Sequence, residues 1–377
     1  MKKFFTLLFT ASTLTLHAQY QLPNSGFEEW DSVYYSTRKG AEPVGWNSFI
    51  SGSGNLKSMA GHNQLEEMPE TRPGSTGKKS AKLFARNVFL GIYAQGNLTT
   101  GCINMGSMTA TDANGNYNYT EIGEGKQNQR FTGLPDAMRV WVKYHSSHTE
   151  YPYGKVCTIL HTEGYYQDPM GNEDSITAKL VGAAIDTLIT SQDEWQELVI
   201  PFTYEETEER PAYALVSFSS NTMPGKGKQG DYMMVDDLEY LYYSELDSLS
   251  YDGKAILEEG KTGYEIDAVY QEDKLAYAAN GKGATVERSY DKETGLVTLT
   301  VKGDDWSENN SNQHEYKLQF KKDTGNESSI SATEAGKGNR AFDIYDLNGV
   351  KVRGNATTTE GLPKGVYLSN GVKIVVK

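Results

Sequence analysis

Asp231-Tyr-Met-Met-Val-Asp-Asp-Leu-Glu-Tyr-Leu-Tyr-Tyr243 alternates apolar and polar side chains, the period of a half-buried β-strand. Two adjacent carboxylates, Asp236 and Asp237, sit in its middle. Carboxylates are depleted in strands, and burying one without a partner is costly. The pair therefore asks for a cation, a basic side chain or a turn of the chain towards water. The stretch reads as the closing strand of a β-sandwich, and the other strands arrange themselves around it.

Upstream, Asn24-Ser-Gly-Phe-Glu-Glu-Trp30 supplies Phe27 and Trp30 as apolar anchors, and Pro43-Val-Gly-Trp-Asn47 is a turn that delivers Trp46 to the core. Residues 51–80 are rich in Gly, Ser, Pro and charge and read as a long loop. Strand patterns then recur at Ser80–Phe84, Gly91–Leu98, Ala137–Tyr144, Lys155–His161, Ala178–Leu188, Trp195–Tyr204 and Tyr213–Ser219. Residues 110–130 read as a polar excursion between strands. In Ala137–Tyr144, Met138, Val140 and Val142 share one face, and Arg139, Trp141 and Lys143 share the other. Strand-length segments with turn signals between them favour a sandwich or barrel.

The composition agrees. The chain has 377 residues, 23% of them charged and 11% aromatic, with 25 tyrosines. That is a globular composition with room for two or three domains. A net charge of −14 without a basic block excludes nucleic acid and anionic membrane surfaces as natural partners. Cys102 and Cys157 are either one disulfide or two small buried strand residues. Met1–Ala18 has a basic start, a short apolar run and a small-residue end, so it reads as an export signal rather than a membrane anchor. No later stretch is long and apolar enough to insert in a membrane.

The expected architecture is all-β. Residues 19–245 form a first sandwich. Residues 246–322 form a smaller one of immunoglobulin-like size. Residues 323–340 are a linker, and 341–377 are a small C-terminal β domain with a hairpin turn at Asn348-Gly349.

Several separated motifs carry a resemblance. Asn24-Ser-Gly-Phe-Glu28, Gly45-Trp46, the Trp141 strand, Trp195 and Val235-Asp-Asp-Leu238 together resemble the galactose-binding-like jelly rolls of carbohydrate-binding modules. Gly96-Asn-Leu-Thr-Thr-Gly101, Pro135-Asp136, Trp141-Val-Lys-Tyr144, Ser219-Ser-Asn221 and Pro224–Asp231 look like a Bacteroidetes domain family named provisionally for carbohydrate metabolism. Tyr345-Asp-Leu-Asn-Gly349 and Leu362-Pro-Lys-Gly-Val-Tyr367 resemble C-terminal sorting domains of the type IX secretion system. The last likeness implies hand-over to the secretion machinery and a place at the cell surface or in the medium. Without a sorting role for the tail, the export signal implies the periplasm.

The jelly-roll resemblance also implies a structural calcium site at Glu28 and Asp236, joining the first strand to the last. Calcium takes about six to eight oxygens from carboxylates and carbonyls. The competing reading is that both are surface carboxylates or pair with Arg or Lys. For a glycan ligand, Trp141 between Arg139 and Lys143 is the leading candidate, with Tyr144, Tyr93, Asn97 and Asn221 behind it. Against this, the basic stems could cover Trp141 beneath a loop. Gly225-Lys-Gly-Lys-Gln-Gly230 matches a nucleotide-binding pattern, but a strand follows it and not a helix, so it reads as a turn.

A glycosidase needs two placed carboxylates, and any pair among 50 acidic residues could be nominated. There is no G-x-S-x-G, no H-E-x-x-H and no cysteine-nucleophile context. The sequence therefore reads as an exported, non-catalytic binder of a polysaccharide or other glycan. The alternatives are a glycan hydrolase or lyase using carboxylates in a jelly-roll groove, and a surface adhesion protein with a protein partner.

Overall fold

The computed structural model describes residues 20–123, 125–172, 175–322, 342–356, 359–369 and 372–376. The export signal and the 323–340 linker lie outside them. Backbone contacts divide the chain into two compact units. One comprises residues up to Lys261 with Asp273–Arg288 and Leu299–Tyr316, and the other comprises Thr262–Glu272, Ser289–Thr298 and Lys317–Lys377.

The first unit is strand-rich from its start. In chain order the strands are β1 (Trp30–Tyr35), β2 (Arg38–Pro43), β3 (Leu65–Met68), β4 (Ser80–Phe84), β5 (Arg86–Phe89), β6 (Ile92–Ala94), β7 (Asn97–Thr99), β8 (Cys102–Met105) and β9 (Asn116–Tyr119). They continue as β10 (Ala137–His145), β11 (Gly154–His161), β12 (Gln167–Asp168), β13 (Leu180–Ile189), β14 (Gln192–Pro201), β15 (Thr203–Tyr204), β16 (Tyr213–Ser219) and β17 (Tyr232–Leu241). Two five-stranded antiparallel sheets result, ordered β14-β10-β17-β4-β3 and β15-β13-β11-β16-β7. A three-stranded sheet, β12-β9-β8, is separate. Residues 51–80 are more ordered than their composition suggests, holding the short helix Lys57–Ala60 and β3.

The period-2 pattern explains the packing. Met138, Val140, Val142 and Tyr144 of β10 pack with Val156 and Leu160 of β11, Val216 and Phe218 of β16, and Val235 and Tyr240 of β17 in one core. The same alternation turns Arg139, Trp141 and Lys143 to the other face of β10. Phe27 and Trp46 are anchors, with ring centroids 5.1 Å apart and the Phe218 ring tilted against Trp46 at 5.8 Å. Cys102 and Cys157 are free and buried, so the strand reading holds and the disulfide does not.

β17 departs from a simple half-buried strand. It is the central strand of its sheet, and Met233, Met234, Val235, Asp236 and Leu238 are all buried. A β-bulge explains the change of pattern: the register with β10 shifts between Arg139 and Trp141, and Asp237 takes a left-handed φ of 43°. The bulge lets the N-terminal segment join, with Leu238 N–H donating to the Ser25 carbonyl at 3.0 Å.

The remaining strands are β18 (Leu246–Tyr251), β19 (Lys254–Ala255), β20 (Gly263–Val269), β21 (Leu275–Ala279), β22 (Thr285–Asp291), β23 (Leu296–Lys302), β24 (Gln313–Lys321), β25 (Phe342–Tyr345), β26 (Lys351–Ala356), β27 (Gly365–Ser369) and β28 (Val372–Val376). They form sheets ordered β19-β18-β21, β20-β24-β23-β22 and β26-β25-β27-β28. β20 and β24 run parallel. The chain turns at Asn348-Gly349, where Gly349 has φ 79° and Asp346 N–H donates to the Val350 carbonyl.

Candidate active site

A groove enclosing about 1150 Å³ of space, its open mouth included, runs over the outer face of the second large sheet. Its floor is a cross-strand row. Asn97 of β7 lies opposite Ser219 of β16, and Ser219 lies opposite Lys155 of β11. Ser217 stands in the next row, opposite Cys157. In β11 the even positions Val156, Thr158 and Leu160 point into the core, so period-2 geometry sends Lys155 outward.

The small sheet supplies a side of the groove. Asn118 of β9 is paired in backbone register with Asp168 of β12, and Asn97 Nδ2–H donates to Asn118 Oδ1 at 3.0 Å. Asp168 reaches Lys155: Nζ lies 2.8 Å from Oδ2, with about a fifth of each side chain exposed. Burial works against the Lys155 charge, but neighbouring Cys157 and Asp168 raise its pKa on balance. Burial pushes the Cys157 thiol up to about 12, so it is not a nucleophile. Among the described residues lining the groove, Asp168 is the one carboxylate and Lys155 the one cation. Tyr117 lines this groove and also a second, shallower one with Tyr165, Asn114 and Gln167.

The residues nominated from sequence fall into separate places. Tyr93, Asn97 and Asn221 all line the groove. Tyr93 Oη donates to Gln229 Oε1 at 3.3 Å. Asn221 is spent on the backbone, donating to the Tyr151 carbonyl and accepting from Met223 N–H. Tyr144 is fully buried in the core, its hydroxyl donating to the Ser220 carbonyl. Trp141 and Arg139 lie half-buried on the outer face of the other large sheet, where the loop 69–79 meets Trp141. The Arg72 guanidinium lies 5.3 Å from the Trp141 ring centroid, and Glu70 accepts from Lys143 Nζ and Trp195 Nε1. Arg139 is engaged by Glu239 and Glu197.

Lys155, Asp168, Asn118 and Ser217 were missed. Asn118 and Asp168 sit in short strands inside polar, loop-like stretches. The available signal was Lys155, a lysine opening an otherwise apolar strand.

The carboxylates implied for calcium are held by the same loop at different points. Asp236 Oδ2 accepts from Arg72 N–H at 2.8 Å, while its Oδ1 is buried without a donor. Burial pushes this carboxyl up to about 6. Glu28 Oε1 accepts from Lys78 and Lys79 N–H at 2.8 and 3.1 Å. Asp237 is not left to solvent: it pairs with Arg72 Nε at 2.6 Å and accepts from Ser75 Oγ. An orphaned carboxylate oxygen fits a cation. No cluster of three His, Cys, Asp or Glu able to hold a metal occurs among the described residues. Three of the six histidines have partners of their own. His145 meets Asp193, His148 accepts from Glu150 and Tyr151 N–H, and His161 is stacked between Tyr166 and Tyr213. No helix among the described residues is long and apolar enough to cross a membrane.

No family model matches the chain, and no curated protein does. Among solved structures it is similar to a candidate glycoside hydrolase from Bacteroides thetaiotaomicron. That match has 16% identity and a TM-score of 0.42, covering 61% of this chain and 73% of that one. A second candidate glycoside hydrolase, from Bacteroides vulgatus, matches at 17% identity and a TM-score of 0.41, covering 57% and 96%. A beta-1,2-glucanase from Parabacteroides distasonis matches at 13% identity and a TM-score of 0.22, covering 68% of this chain and 35% of that one. The expectation of a non-catalytic glycan binder is corrected here: these three chains carry the names of hydrolases and a glucanase.

Proposed function

We propose that the protein is a glycan-active enzyme, a hydrolase or lyase, working in the groove over the second sheet. The observation that carries this reading is the partly buried Lys155–Asp168 pair on a floor of Asn97, Asn118, Ser217 and Ser219. Amide and hydroxyl side chains in a groove suit sugar hydroxyls, and Tyr117 offers a ring for sugar C–H faces. Hydrolysis by two carboxylates needs them about 5–9.5 Å apart, and the described lining holds only Asp168. Asp168 is therefore the proton acceptor. It draws a proton from water, whose oxygen bonds the anomeric carbon as the glycosidic oxygen leaves, or from a sugar carbon, whose electron pair forms a double bond as the neighbouring glycosidic oxygen leaves. The departing oxygen takes a proton from solvent in either case. Lys155 orients that carboxylate and, in the lyase reaction, offsets the negative charge left on the sugar when its carbon loses the proton. The test is glycan cleavage by Asp168→Asn and Lys155→Met variants, both expected to lose it. Full activity in Asp168→Asn would end this assignment.

The finer fold is part of the same proposal. Two five-stranded sheets around one core support a jelly roll over 19–245, and three- and four-stranded sheets support an immunoglobulin-like unit over 246–322. The four-stranded C-terminal sheet supports a sorting role for the tail. The orphaned Asp236 oxygen supports a structural calcium ion held with Glu28. That ion would tie β17 to the N-terminal segment and take no part in the chemistry of the groove.

A further inference from the structure

The groove has two chemically different ends. Around Lys155 and Asp168 the side chains are polar. Towards the β5–β6 hairpin the lining turns apolar, with Phe49, Ile103 and Met105 beneath and Phe89, Ile92 and Met108 at the rim. The three beneath form a small buried cluster of their own, apart from the sandwich core. The three at the rim are exposed by 41, 44 and 56%. Large apolar side chains held in water at the edge of a concave site are a standing cost, which a bound apolar group would relieve. Methionine suits such a surface because its flexible thioether adapts to irregular chains.

The apolar end shares one groove with the polar floor, so a molecule seated at Lys155 and Asp168 has a hydrophobic channel beside it. A plain sugar would leave that channel wet. A protein partner laid on the rim would not reach its floor. We infer that the substrate is amphipathic: a sugar carrying an alkyl or acyl chain, with the sugar at Lys155–Asp168 and the chain along Ile92, Met108 and Met105. This rests on the groove being the substrate site.

The experiment uses the full chain with Asp168→Asn, so that binding is read without turnover. Calorimetry compares n-octyl glucoside, below its micelle concentration, with methyl glucoside. The octyl compound is expected to bind about tenfold more tightly or better, since each buried methylene adds roughly fourfold. Ile92→Ser and Met108→Ser change side chains already exposed to water. Each should leave the melting temperature unchanged and weaken octyl binding about fivefold. Equal binding of the two glucosides overturns the inference, and so does octyl binding indifferent to both substitutions. Tail-dependent binding without glycan cleavage in the wild type would support the inference and sink the enzymatic reading alone. Cleavage without tail preference would do the reverse.

Discussion

At the bulge of β17, Asp236 accepts one backbone N–H on one oxygen and has no donor for the other. Burial is the main cause of its raised pKa, about 6 against an ordinary 3.8. A pKa raised by folding means that the native state holds the proton more tightly than the unfolded chain. The stability from the protonated form is complete below about pH 4 and is lost as pH rises through about 6. In metal-free protein, unfolding free energy should fall across that window by about 2–3 kcal/mol. Asp236→Asn should flatten the fall. Calcium reverses the sign of the problem, because it favours the ionised form. At pH 7 it should raise the melting temperature of the wild type and do so much less in Asp236→Asn. A melting temperature that calcium leaves unmoved would remove the metal from the account.

At the scale of elements, the groove floor depends on how tightly β4 and β7 approach. A Cβ on Gly96 would lie 2.4 Å from the Phe84 nitrogen and 2.8 Å from the Leu83 carbonyl carbon. Both are backbone atoms with little freedom to move. Gly96→Ala should therefore cost about 1–3 kcal/mol in denaturant unfolding and displace Asn97. Gly91, in the β5–β6 turn, has φ 84° and open space around it. Alanine there costs only the left-handed strain, about 1 kcal/mol. Equal losses at the two glycines would contradict this packing.

Much of the element pattern was legible in the sequence, because period-2 alternation states which face of β10 or β11 is buried. The β17 bulge was not, since a shift of register depends on what the N-terminal segment brings to the sheet. For the same reason the partner of Trp141 was not legible: nothing local to Ala137–Tyr144 reveals that Arg72 comes from a distant loop to lie over its ring. Asn97, Tyr93 and Asn221 were nominated by type alone. Their partners Asn118 and Asp168 were invisible because β9 and β12 are only four and two residues long, too short to show a period.

For the whole molecule, two large sheets sharing one core leave part of the outer face of the second sheet to the groove. On the proposed reading, closure and chemistry belong to different carboxylates, Asp236 for the first and Asp168 for the second. The most direct measurement is product release from a panel of polysaccharides and alkyl-bearing glycosides by wild type, Asp168→Asn and Asp236→Asn. New reducing ends with ultraviolet absorbance from an unsaturated sugar would mark a lyase, and reducing ends alone a hydrolase. The expected result is release by the wild type, loss by at least about a hundredfold in Asp168→Asn, and retention in Asp236→Asn under conditions where it is folded. Release that survives Asp168→Asn, or no release from any member of the panel, would contradict the account.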